Sequence, residues 1–206
     1  MNFKAVAMVI LMGSCAFAKS DAVGPSEKVV VCLESSGMLQ YRIDKAEILA
    51  SSMFRHAGVV IEWRASARAC RAEGQRAIVV HLLENAPPDA GLQALARAYP
   101  FEGVRIDVFM DRTPSPRADP ESVVPAHVLV HEITHILQDV TRHSETGVMK
   151  ARWNADDYRQ MHFNPLPFTA EDIELIHLGL AARAAHPGTG QALLASRQNY
   201  NSWYGR

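Results

Sequence analysis

The sequence predicts an α/β fold, with a mixed, twisted sheet of about four strands, a histidine-bearing helix and a smaller helical C-terminal part. Three observations predict it. Short β-branched runs alternate with a helix-length segment in the first half of the chain. The stretch from Val128 to Leu137 is apolar at helical spacing and holds His131-Glu132-Ile133-Thr134-His135. Prolines at 114, 116, 120 and 125 set that stretch apart from the strands before it, and Pro187-Gly188 closes a further helical segment after it.

Taken in order, residues 1–18 have the layout of a cleaved secretory signal peptide: Lys4, an apolar run from Ala5 to Met12, then Ala16-Phe17-Ala18. A lipoprotein signal ending at Cys15 fits less well, because Met12 stands where a leucine is usual. The expected remainder is one domain over residues 19–206, secreted or periplasmic, with sheet and central helix in 28–140 and a turn-bearing loop and C-terminal helix in 141–206. Val29 to Leu33 reads as a strand inside a sheet. Asp44 with Glu47 three residues on resembles a helix start, followed by Ile48, Leu49, Met53 and Phe54 at helical spacing and stopped by Gly58. Val59 to Trp63 and Ala77 to Leu83 give two more strands.

Pro87-Pro88 lies in a loop, and Leu92 to Tyr99 reads as one or two helical turns. Residues 103–110 alternate, with Val104, Ile106, Val108 and Met110 against Arg105, Asp107 and Phe109, which marks a half-exposed strand at an edge. Thr141 to Asn164 shows no sustained period and reads as ordered loop. The last helix starts at Thr169, with Asp172 three residues later and Phe168 set to pack on Ile173, and runs to about His186.

A net charge of −1 over 206 residues, without a basic stripe or polybasic patch, nominates neither nucleic acid nor a membrane surface as partner. No stretch after the signal has the length of a membrane span. Removing the signal leaves two of the three cysteines, Cys32 and Cys70. In an oxidising compartment they are expected to form one disulfide. Isolated cysteines, with no C-x-x-C pair, do not suggest a thiolate metal site.

On a helix, His131 and His135 are one turn apart and aim both imidazoles at one point, while Glu132 lies about 100° round from His131. That is the pattern of two zinc ligands with a general base beside them. The rest of the stretch sorts the same way: Ala126, Leu129, Val130, Ile133, Ile136, Leu137 and Val140 share one arc, and His127, His131, Glu132, His135, Gln138 and Asp139 the other. A catalytic zinc site takes three protein ligands and leaves a position for water. The residues leave three sources for the third ligand: His143, Glu171 or Glu174 on the next helix, and His127 one turn before His131.

His131-Glu132-Ile133-Thr134-His135, then His143-Ser144, then Gly147-Val148-Met149 resemble, in order, the zinc helix, third histidine and methionine turn of the metzincin metallopeptidases. They also resemble a group of short secreted bacterial proteins that end the motif in this way and carry a nearby tryptophan, here Trp153. The likeness spans about residues 28–155 and is specific over 131–149. The chain departs from the pattern in holding Gln138 where metzincins have glycine, and Thr141 where they have the third histidine. A slightly longer helix or a wider loop is then needed to return His143 to the metal.

The resemblance implies a metzincin-like fold and a zinc metalloendopeptidase with His131, His135 and His143 on the zinc and Glu132 as general base. It implies Met149 as an apolar floor that does not ligate, and residues 104–110 as the strand along which a peptide or protein substrate lies. Asp139, Asp156 and Asp157 are candidates to orient the imidazoles. The alternative function is a secreted zinc-binding or protein-binding module that does not turn over a peptide. Substrate preference, latency and oligomeric state have no signature in the sequence.

Overall fold

The computed structural model describes residues 27–34, 40–65, 70, 77–99, 104–114, 117–119 and 121–185. The predicted signal peptide, with Cys15, and the stretch after residue 185 lie outside them. The elements are β1 (Glu27–Glu34), α1 (Gln40–His56), β2 (Val59–Arg64), β3 (Ile78–Leu83), β4 (Ala96–Tyr99), β5 (Arg105–Phe109) and a 3-10 turn (Met110–Arg112). Then follow α2 (Val123–Gln138), α3 (Ala155–Phe163) and α4 (Ala170–Ala185).

The five strands form one sheet in the order β2-β1-β3-β5-β4. β1 is parallel to β2 and β3, β3 is parallel to β5, and only β4 runs antiparallel, on β5. Strand periodicity divides the faces. Val29, Val31 and Leu33 of β1 and Ile78, Val80 and Leu82 of β3 point into the main core under α1 and α2. Cys32, with Val30 and Val79 against it, points the other way into a small cluster with Cys70 and Ala77. There Cys32 and Cys70 are bridged, with Cα atoms 5.7 Å apart and a sequence separation of 38. A crosslink over that span stabilises by about 4 kcal/mol in the chain-entropy picture.

The fifth strand lies where the sequence predicts helical turns. Ala96–Tyr99 is an extended edge strand, which leaves β5 paired on both sides rather than at an edge. The alternation that suggested exposure has another cause. Asp107 is buried, and its carboxylate accepts hydrogen bonds from Arg105 Nε (3.1 Å) and Nη2 (2.9 Å) and from Tyr99 Oη (3.1 Å), so a polar side chain sits in the interior with its partners.

Two helix starts also differ. α1 begins at Gln40, so Asp44 lies inside the helix instead of capping it; the fully buried Ile43 extends the apolar period upstream of Ala46, Ala50 and Phe54. Within the supposed loop 141–164, α3 is opened by a capping box: Asn154 Oδ1 accepts from the Asp156 and Asp157 N–H groups, and Asp157 Oδ2 accepts from Asn154 N–H. α4 starts as expected, with Thr169 and Asp172 capping each other. Phe168 packs on Phe54 of α1 with the rings tilted and their centroids 5.6 Å apart.

α2 is central. It packs on α1, on β4 and β5, and on α4. Every residue from Val123 to Gln138 is buried except Glu132, which is partly exposed. Its N-terminus is held by the buried Asp119, whose two oxygens accept from the Val123 (2.9 Å) and Val124 (2.8 Å) N–H groups. Where α2 crosses α4, Gly179 allows the backbones to meet: a Cβ there would lie 1.8 Å from the Leu137 carbonyl oxygen.

Candidate metal centre

The arc that separates polar from apolar residues on α2 is the one the structure uses. His131 and His135 project side by side, their Nε2 atoms 3.1 Å apart. Each Nδ1 is spent on a main-chain carbonyl: His131 Nδ1 donates to Val148 O at 2.9 Å and His135 Nδ1 to Val140 O at 2.9 Å. A carbonyl only accepts, so both rings carry their hydrogen on Nδ1 and present bare Nε2 lone pairs to each other. Two facing lone pairs repel unless a cation lies between them. Their separation is close to the edge of about 3.3 Å that a tetrahedral ion with zinc–nitrogen bonds near 2.0–2.1 Å requires.

His143 completes the cluster. Its ring centroid is 5.2 Å from that of His131 and 4.9 Å from that of His135, and ligand-capable nitrogens of all three lie within 4.8 Å of one another. Among the described residues this is the one group of three or more His, Cys, Asp or Glu side chains able to share an ion. Burial and the neighbouring His135 push the His131 imidazole down to about 3. Burial, with His143 alongside, pushes His135 down to about 4. His143 is lowered by desolvation and by Arg142. All three therefore favour the neutral form, the one that binds metal.

The other candidates for third ligand are elsewhere. His127 is fully buried and satisfied, with Nδ1 on Val123 O (2.8 Å) and Nε2 accepting from Leu166 N–H (3.0 Å). Glu171 is exposed and ion-paired with Arg142, and Glu174 is exposed.

The route of His143 back to α2 accounts for its late position in sequence. α2 runs through Gln138, and Asp139 takes the left-handed turn at φ 51°, one residue later than the glycine of the metzincin pattern. Aspartate accepts that conformation better than most residues. Val140 then offers its carbonyl to His135 before the chain reaches His143. The loop is tied to α4: Ser144 Oγ donates to Asp172 Oδ1 at 2.6 Å, and Arg142 Nη1 to the same oxygen at 3.2 Å. Gln138 Nε2 donates to the Asp172 carbonyl at 3.0 Å. Burial alone would raise the Asp172 carboxyl, but the hydrogen bonds from Ser144, Thr169 and Arg142 hold it below the usual aspartate value.

The turn 147–149 supplies the other anchor. Gly147 has φ 76°, and a Cβ on it would lie 2.2 Å from the Pro167 carbonyl oxygen. That turn aims the Val148 carbonyl at His131, while Met149 is fully buried in the core. Trp153 adds to the same carbonyl through Nε1 (3.3 Å) and sets its ring edge-on to His131 at 5.7 Å. Main-chain oxygens thus orient the imidazoles. Asp157 caps α3 and pairs with Lys150, Asp156 pairs with Arg159, and Asp139 ends α2.

A cleft of about 560 Å³ opens beside the histidines. One wall is residues 93–96 leading into β4; the other is residues 150–153 with Tyr158; His131, Glu132 and His143 lie between. Burial pushes the Glu132 carboxyl up to about 7, opposed by a hydrogen bond from the Ala98 backbone on β4. A carboxyl with that value both takes and gives a proton near neutral pH.

The fold and the cluster together define a mostly parallel five-stranded α/β domain with a His-Glu-x-x-His helix and a third histidine converging on one point. No family model matches the chain, and no curated protein matches it. Among solved structures it is similar to archaemetzincin from Methanopyrus kandleri, with 16% identity, a TM-score of 0.48, and coverage of 77% of this chain and 97% of that one. It is also similar to archaemetzincin from Archaeoglobus fulgidus, with 12% identity, a TM-score of 0.47, and coverage of 72% and 99%. At such identities and scores the likeness fixes no activity; the histidine cluster stands on its own geometry.

Proposed function

We propose that the chain is a secreted or periplasmic zinc metalloendopeptidase of metzincin-like design. The observation that supports this best is the convergence of three neutral imidazoles beside a partly exposed glutamate in an open cleft. His131, His135 and His143 would hold the ion. A zinc bound there supplies Lewis-acid polarisation of a carbonyl and makes water more acidic. Glu132 takes the proton of the attacking water and returns it to the leaving amine, a double duty suited to its raised carboxyl.

The edge of β4, and not residues 104–110, gives an extended substrate a place to lie. Among the described residues β4 pairs with a strand on one side only, and Ala94 and Ala96 put little bulk into the cleft. A peptide added along it gains main-chain hydrogen bonds and passes the histidines.

The test is Glu132→Gln in the zinc-loaded protein, assayed against a mixed peptide library. The expected result is zinc content equal to wild type with cleavage reduced at least a thousandfold. Cleavage by the variant at the wild-type rate would remove Glu132 from the reaction. A wild type that binds zinc and cuts no peptide would favour the non-catalytic module instead.

A further inference from the structure

We propose that Arg152 makes the cleft a carboxylate-reading site, so that peptides carrying an acidic group near the scissile bond are preferred; this rests on the peptidase reading above. Two cationic side chains line the cleft, Lys150 and Arg152. They are not equivalent. Lys150 is partly buried, and its ammonium donates to Asp157 Oδ2 at 2.5 Å, the oxygen that also receives Asn154 N–H. Its charge is matched within the wall. Arg152 is exposed and has no carboxylate partner among the described residues.

The position of Arg152 gives that charge a target. It directly precedes Trp153, whose ring meets the His131 ring edge-on at 5.7 Å. Arg152 lines the same cleft as His131, Glu132 and His143, so its guanidinium borders the space in which a peptide presented to the histidines would lie. The facing wall, Gln93 to Ala96, carries no charge. A carboxylate entering there would meet a two-pronged donor of fixed geometry without first displacing an internal partner, whereas a lysine or arginine would meet like charge. The carboxylate has two possible sources, an Asp or Glu side chain or the free end of a peptide.

Binding without turnover separates these cases. Fluorescent hexapeptides would be titrated by anisotropy into zinc-loaded Glu132→Gln protein in three forms: amidated with one Glu scanned through the positions, amidated with Gln in its place, and the Gln peptide with a free C-terminal carboxylate. The proposal predicts that at least one carboxylate form binds about five- to tenfold tighter than its neutral counterpart. Whichever form gains identifies the source. Adding Arg152→Gln should bring that ratio to one, and Arg152→Glu should invert it, with zinc content unchanged in both.

Equal affinities for all three forms, or a preference that survives Arg152→Gln, would overturn it. Carboxylate preference in a protein that cleaves nothing would sink the peptidase reading, and the scissile-bond preference with it, leaving Arg152 as a carboxylate-binding residue of the cleft. Cleavage without any such preference would do the reverse.

Discussion

His131 and His135 are set into the molecule differently from His143. The first two ride on a helix packed on several sides, and each has its Nδ1 fixed by a carbonyl. His143 is exposed on the chain that follows the left-handed turn at Asp139, and its position depends on neighbours: Arg142 and Ser144, both bonded to Asp172 of α4. Two of the three histidines are positioned by a rigid element and the third by a clamp between loop and helix. The consequence is that damage to the packing of α2 should disturb the pair, whereas damage to the clamp should disturb His143 alone.

The largest effect is expected at Gly179. Gly179→Ala forces a methyl against the Leu137 carbonyl oxygen, and α2 and α4 must part. A loss of about 3 kcal/mol is expected from denaturant unfolding, together with weaker zinc binding, since Leu137 lies two residues from His135. An unchanged unfolding midpoint would show that the crossing is looser than described.

Asp172→Asn comes next, at about 2 kcal/mol near neutral pH, because one amide cannot accept all the hydrogen bonds made to the carboxylate. The sign with pH follows from the direction of its shift. A carboxyl held below its ordinary value of 3.8 contributes stability above that pH and loses it as pH falls through the still lower folded value. In metal-free protein the wild-type and variant stability curves should therefore converge in acid. Curves that stay parallel throughout the acid range below 3.8 would mean that the clamp does not depend on that charge.

Trp153→Phe keeps an aromatic edge near His131 and removes the Nε1 donor to Val148 O together with one ring of the indole. A loss of about 1 kcal/mol is expected, with zinc affinity falling severalfold through freer motion of His131. Affinity equal to wild type would assign that carbonyl wholly to the turn.

The smallest effect is a control remote from both halves. Burial, then Asp44, pushes Glu47 up to about 7. A raised carboxyl binds more protons folded than unfolded, so stability falls from pH 4.5 to 7, and Glu47→Gln should gain about 1 kcal/mol above pH 7 and nothing below 4.5. Thermal melts at both pH values check it, with zinc binding expected to stay constant.

The same division governs how much could be read from sequence. The helix-borne half was legible because period 3.6 puts His131, Glu132 and His135 together without knowledge of anything else. The main strands were legible from β-branched runs, and the Cys32–Cys70 bridge from there being one possible pair. His143 was reached through the order of motifs; its geometry depends on Asp139 and on a clamp to residues some thirty positions away.

What was missed is non-local. Ala96–Tyr99 has no β-branched residue and is a strand because β5 is there to pair with it. Asp107 looked exposed because its partner Tyr99 belongs to that unseen strand. The carbonyls of Val140 and Val148 carry no side-chain signature at all. α3, by contrast, had a readable sign in Asn154 and Asp157, hidden by an apolar face that buries little besides Met161.

The most direct test of the central claim is zinc content by elemental analysis on purified wild type, His143→Ala and Glu171→Ala, with circular dichroism to confirm folding. One zinc per chain in wild type and in Glu171→Ala, with its loss from folded His143→Ala, is the result the three-histidine site predicts. Wild type that takes up no zinc, or zinc that leaves with Glu171 and stays without His143, would contradict it.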